Sequence, residues 1–148
     1  RNVLSVGSID GFSMLVNLNK FKDKLYFDEN FFLYLENDDL CLRVKNKHEH
    51  IYIIKNSLIN HKGGISKNSK LEYLRNWHWM WSKFYFNKKH YGYMNALKKI
   101  FLNFISAILN YIIFSAILNK HKKTIYKMRI CGIYNSLIGK KSYFRIDN

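Results

Sequence analysis

The chain has 148 residues, with 25 Lys plus Arg against 10 Asp plus Glu and a formal net charge of +15 at pH 7. It is 48% hydrophobic and 17% aromatic and contains no proline, which excludes a disordered chain, since those are poor in aromatics and rich in proline. Cys41 and Cys131 are its only cysteines and stand far apart, which excludes a disulfide-built scaffold and leaves one domain, or part of a larger one, held by an apolar core.

Arg1 stands where a complete chain carries Met, and Val3, Leu4 and Val6 follow at once. The sequence therefore reads as a fragment whose N-terminal portion is missing. Val3 to Val6 predicts a strand ending at the turn Gly7-Ser8-Ile9-Asp10-Gly11. Phe12 to Leu18 predicts a second strand, and Phe31-Phe32-Leu33-Tyr34-Leu35 is a strand-like aromatic run. Asp38-Asp39 can cap a helix with Leu40 and Val44 on one face and Arg43, Lys45 and Lys47 near its end, as the helix dipole prefers. Ile51 to Ile54 predicts a buried strand, and residues 56–68 a loop holding His61 and Gly63-Gly64.

After Asn68 the pattern changes. Ser69-x-x-Glu72 is a capping box, and Leu71, Leu74, His78, Trp81 and Tyr85 follow at helical spacing. Ile100 to Leu118 is a run of 19 residues without a charge. That reaches the ~18 residues of a spanning candidate. Asn103, Ser106 and Asn110 share one of its faces, so a buried helix or an interfacial one fits it ahead of a span. Residues 1–68 thus read as mixed α/β and residues 69–148 as an all-helical tail. The charge divides along the same line. Residues 1–72 carry 11 basic and 9 acidic side chains, whereas residues 73–148 carry 14 basic ones and only Asp147. One half is equipped for carboxylate or metal chemistry, the other for meeting an anionic partner.

Four consecutive polar residues, Glu36-Asn37-Asp38-Asp39, follow the aromatic run. Clustered carboxylates repel unless they hold a cation or share a proton, so they suit metal binding or general-base work; as an exposed helix cap they would have no such role. His61 is a metal ligand or a surface histidine, and Gly63-Gly64 would let a phosphate approach the backbone. Trp77, Trp79, Trp81, Phe84, Tyr85, Phe86, Tyr91 and Tyr93 alternate with Lys83, Lys88 and Lys89. Such a mixture can stack on nucleic-acid bases or sit at a membrane interface.

In order, Val6-Gly7-Ser8-Ile9-Asp10-Gly11-Phe12-Ser13-Met14-Leu15, Phe27-Asp28-Glu29-Asn30-Phe31-Phe32-Leu33-Tyr34, Glu36-Asn37-Asp38-Asp39-Leu40-Cys41-Leu42-Arg43 and Asn60-His61-Lys62-Gly63-Gly64-Ile65-Ser66 resemble the C-terminal half of a family-2, rhamnosyltransferase-like glycosyltransferase. The resemblance covers residues 3–90, and Gly139 to Arg145 is similar to the tail of many members. It implies an α/β fold, the C-terminal part of a GT-A nucleotide-sugar transferase, with a basic helical tail. It also implies inversion at the anomeric carbon, the nucleotide pocket and an Asp-x-Asp metal motif lying in the missing first half. No Asp-x-Asp occurs here.

The family pattern is Glu-Asp-x-Asp-Leu-Cys-x-Arg, with the Asp after Glu as base; this chain has Asn37 there. The expected catalytic residues are therefore Asp38, Glu36 and Asp39. Asp10, Gly11, Gly63, Gly64 and Trp77 would contact substrates, and His61 would help hold a divalent metal, Mg or Mn. The expected partners are a nucleotide-sugar donor, a glycan or lipid-linked acceptor such as a lipopolysaccharide or O-antigen precursor, and an anionic membrane, with no nucleic acid. The expected location is cytoplasmic, peripheral at the inner face of the plasma membrane. A basic nucleic-acid-binding module and a non-catalytic membrane-interaction domain are the alternatives.

Overall fold

The computed structural model describes residues 2–20, 26–61 and 68–145. The chain divides into one unit drawn from Arg1–Glu29 and Leu35–Gly64 and a second drawn from Asn30–Tyr34 and Ile65–Asn148.

In the first unit, strand β1 (Val3–Val6) pairs antiparallel with β2 (Ile51–Ile54), Val3 facing Ile54 and Val6 facing Ile51. Both are short, β-branched and apolar, as strand pairing favours. Helix α1 (Glu36–Asn46) packs beside β2 and buries Leu40 and Cys41. Its first turn holds Glu36, Asp38 and Asp39 and its last turn Arg43 and Lys45, each sign at the end the helix dipole stabilises. No side chain caps it: Leu35, at φ 65°, occupies the N-cap position, so Asp38 and Asp39 lie inside the first turn rather than ahead of it.

The α/β GT-A expectation is overturned. Such a fold is built on a large central sheet, whereas among the described residues the two-stranded ribbon is the whole sheet and four α-helices make up most of the regular structure. The sequence reading fails at two runs. Phe12 to Leu18 has no strand partner among the described residues; Leu15 is 99% exposed, and the segment passes through turn and coil into one 3-10 turn at Leu18–Lys20. Residues 31–35 bend instead of extending, because Tyr34 (φ 69°) and Leu35 (φ 65°) are left-handed. Their side chains pack on a helix: Phe31 meets Trp81 and Tyr85 edge-on, and Tyr34 meets Trp79. The strand Ile51–Ile54 forms, but Tyr52, Ile53 and Ile54 are exposed rather than buried.

The second unit is a three-helix assembly of α2 (Ser69–Tyr91), α3 (Tyr93–Ala116) and α4 (Lys120–Leu137). The α2 start lies one residue ahead of the Ser69 capping box: Asn68 is the N-cap and its side chain accepts from the Lys70 amide. Gly92 (φ 84°, ψ 164°) separates α2 from α3 in a region of backbone space essentially confined to glycine. Met80, Phe84, Ala96, Ile100 and Ile133, from all three helices, form the core. Gly132 lets α4 touch α2 so closely that a Cβ there would collide with the Trp77 carbonyl oxygen. Polar ties fix the same pair: Ser136 donates to the Trp81 carbonyl (3.0 Å) and Arg129 Nε to Asn76 Oδ1 (2.7 Å). The segment after α4 folds back on α2, where Trp81 Nε1 donates to the Lys140 carbonyl (2.9 Å).

Candidate functional site

Three segments of the first unit converge: the loop after β1, the first turn of α1 and, at His61, the loop after β2. Asn37 Nδ2 donates to the Ile9 carbonyl at 3.0 Å, pinning the loop to the helix. Gly11 lies against the same side chain; a Cβ there would sit 3.4 Å from Asn37 Cβ. The amide at position 37 therefore serves as a donor to a backbone oxygen, a task an ionised Asp could not perform.

This pinning places Asp10 near Asp38. Burial raises the Asp38 pKa above the ordinary carboxylate value, and the Asp10 charge pushes it the same way. Asp38 is nonetheless only half-buried and open to a ligand. Glu36 lies one residue before Asn37, and its Oε2 is buried with no hydrogen-bond partner among the described residues. Asp39 differs from both. It is 0% exposed and accepts from Arg43 Nε at 2.9 Å, while Arg43 Nη2 also donates to the Tyr26 carbonyl at 2.7 Å. A carboxylate so enclosed and neutralised has no path to a substrate hydroxyl, so Asp39 is a packing element of α1, not a base.

His61 stacks on Phe12, ring centroids 4.7 Å apart and planes 17° from parallel. The pair forms an exposed aromatic wall on the loop that carries Asp10 and Gly11. Phe12 lies in a loop and not in the strand that its apolar run predicts; its position directly after the Gly11 turn is the signal for a loop-tip aromatic. Among the described residues no three of His, Cys, Asp and Glu converge on a common point. Gly63 and Gly64 lie outside the described residues.

Trp77 belongs to the second unit and is 2% exposed, covered by Tyr143 and Phe144 and by the α4 backbone at Gly132. Its indole is core, closed to substrate. Trp81 and Phe84 are buried as well, so these rings offer bases no stacking platform. Beside Trp77, His78 is fully buried between two partners: Nε2 donates to the Phe144 carbonyl (2.8 Å), which leaves Nδ1 to accept from the Ser142 hydroxyl (2.8 Å). Its pKa is lowered to about 4, chiefly by burial and in lesser part by the Arg145 guanidinium, against the pull of the Phe144 acceptor. Its place in the apolar stripe 71-74-78-81-85 was the signal for burial; no sequence feature marked the two partners.

Compared with protein-family models, with curated proteins and with solved structures, the chain matches none.

Proposed function

We propose that the first unit carries the acceptor side of a sugar transfer from a nucleotide-sugar donor, with inversion at the anomeric carbon, and that Asp38 is its general base. The observation that carries this reading is the Asp38–Asp10 pair: a partly open carboxylate whose proton affinity is raised by burial and by a second negative charge. A raised pKa makes a carboxylate a stronger base. In the proposed step the acceptor oxygen bonds to the anomeric carbon while Asp38 takes its proton. The bond from that carbon to the diphosphate oxygen breaks, and its electron pair leaves on the nucleoside diphosphate. Proton arrival on Asp38 also relieves its repulsion with Asp10, so the pair favours the transferred state. The exposed Phe12–His61 wall supports the reading further, since aromatic faces suit the apolar face of a sugar ring. The ordered motif set from Val6 to Ser66 points the same way.

The test uses the protein produced from the whole reading frame and reads nucleoside diphosphate release from a panel of nucleotide sugars with lipid-linked glycan acceptors. Asp38→Asn should lower kcat by roughly 10²–10⁴-fold while donor affinity holds. Glu36→Gln should cost less. Turnover by Asp38→Asn close to the parent's would remove Asp38 from the mechanism, and collapse in Glu36→Gln alone would assign the base to Glu36.

A further inference from the structure

Helix α3 is apolar on two opposite faces. Ala96, Ile100 and Ala107 are buried in the three-helix assembly. On the other side Phe101, Leu102, Ile105, Leu109, Ile112 and Ile113 form an exposed stripe; Leu102 is 74% and Ile112 57% accessible. A contiguous apolar helix face left in water marks a surface that another apolar phase covers. The helix is long enough to cross a bilayer, roughly 36 Å by its 24 residues.

One charge near its middle and two near its C-terminal end bear on how it meets one. Lys83 Nζ from α2 reaches Asn103 Oδ1 (3.3 Å), and from α4 Lys123 lies over the Tyr111 ring (5.6 Å) and Lys122 over the Phe114 ring (4.9 Å). If α3 spanned with these neighbours in place, the Lys83 ammonium beside Asn103 would lie deep in the hydrocarbon, at roughly several kcal/mol by general scales. If α3 lies flat, all three ammonium groups sit at headgroup depth. The start of α4 adds a second argument. Lys120, Lys122 and Lys123 lie in its first turn, where the positive helix end disfavours cations; α4 has no acidic residue there, and Glu72 of α2 meets His121 between them at 3.2 Å. Helix stability does not account for those lysines. Residues 73–148 carry 14 basic side chains against one acidic, so the charge around the stripe complements an anionic surface.

We propose that α3 docks in the plane of an anionic lipid bilayer, its 101-102-105-109-112-113 stripe entering the acyl–headgroup boundary and Lys98, Lys99, Lys120, Lys122 and Lys123 engaging lipid phosphates. This stands on the second unit alone and is independent of the sugar-transfer reading.

The experiment is flotation of the protein with vesicles of phosphatidylcholine and phosphatidylglycerol in equal parts, and with phosphatidylcholine alone. The parent should float with the anionic vesicles, less at high salt but not to zero, because apolar burial survives screening. Leu102→Glu with Leu109→Glu, both at exposed positions, should weaken binding by at least roughly a hundredfold with helix content unchanged. Lys122→Gln with Lys123→Gln should reduce binding to anionic vesicles and provides a reading if the Glu pair does not fold. Tryptophan placed at 102 or at 113 should be quenched equally by shallowly brominated lipid. Failure to float with anionic vesicles, or equal flotation of the Glu pair, would overturn the proposal. So would a dimer that the Glu pair dissolves without any vesicle binding. Unequal quenching depths at 102 and 113 would overturn the flat orientation.

Discussion

At the scale of single residues, Asn37 explains why the carboxylates beside it are arranged as they are. Its amide donates to the Ile9 carbonyl, and that bond draws Asp10 toward Asp38. An ionised Asp at 37 would face the carbonyl with no proton to give and would add a third negative charge. Removing Asp10's charge isolates its part of the effect. Asp10→Asn should lower the Asp38 pKa, although burial, the larger cause, keeps it above the ordinary value. The acidic limb of kcat/KM in the protein from the whole reading frame should then move to lower pH, with the alkaline limb fixed. A limb that stays in place would mean that the titrating base is not Asp38. The carboxylates themselves were legible in the sequence as a polar block after an aromatic run. Their division of labour was not: Asp38 and Asp39 are adjacent, yet successive helical positions point about 100° apart, one toward Asp10 and one into the Arg43 pair.

At the scale of elements, the helices and the strands Val3–Val6 and Ile51–Ile54 were legible, whereas two further strand-like runs did not become strands. Over α2 the 3.6-residue period of Leu74, His78 and Trp81 marks the buried face, and the same residues line it in the fold. Strand signals are weaker because a strand exists only with a partner. Val3–Val6 and Ile51–Ile54 found each other, whereas the equally apolar Phe12 to Leu18 has no partner among the described residues. Residues 31–35 were diverted by a tertiary competitor, the aromatic face of α2, with Ser82 donating to the Leu33 carbonyl at 2.8 Å. The α2–α4 contact depends on one glycine. Gly132→Ala would gain about 1 kcal/mol of helix propensity. It would also force a methyl group onto the Trp77 carbonyl, backbone that can yield only by shifting α2. Overpacking of this kind costs about 1–3 kcal/mol. The sign is therefore destabilising, and urea denaturation followed by tryptophan fluorescence should show a lower midpoint. An unchanged or higher midpoint would mean that the two helices can separate at little cost.

At the scale of the whole molecule, the two units carry titrating groups that act in opposite directions with pH. Asp38 has a raised pKa in the folded first unit, so the native state holds its proton longer than the unfolded chain does. Its contribution to stability is present at low pH and is lost as pH rises through the folded value. His78 in the second unit is the reverse: it stays neutral down to about 4, while in the unfolded chain it protonates near 6.5. Between those values the unfolded state binds the extra proton, so stability falls as the solution is acidified. The loss approaches about 3 kcal/mol at pH 4, since each pH unit of the window is worth about 1.4 kcal/mol. The imidazole is seated between Ser142 and Phe144, and charging it turns Nδ1 into a donor, so the Ser142 hydroxyl must reverse and accept. All three tryptophans, Trp77, Trp79 and Trp81, lie on α2, so their fluorescence reports the second unit alone. Urea midpoints read from that signal should fall steadily from pH 7 to pH 4 and level off below. His78→Gln, which keeps an amide donor but does not titrate, should be less stable at pH 7 and nearly flat across the same range. A parent midpoint independent of pH between 4 and 6.5 would show that His78 is not held neutral by its burial.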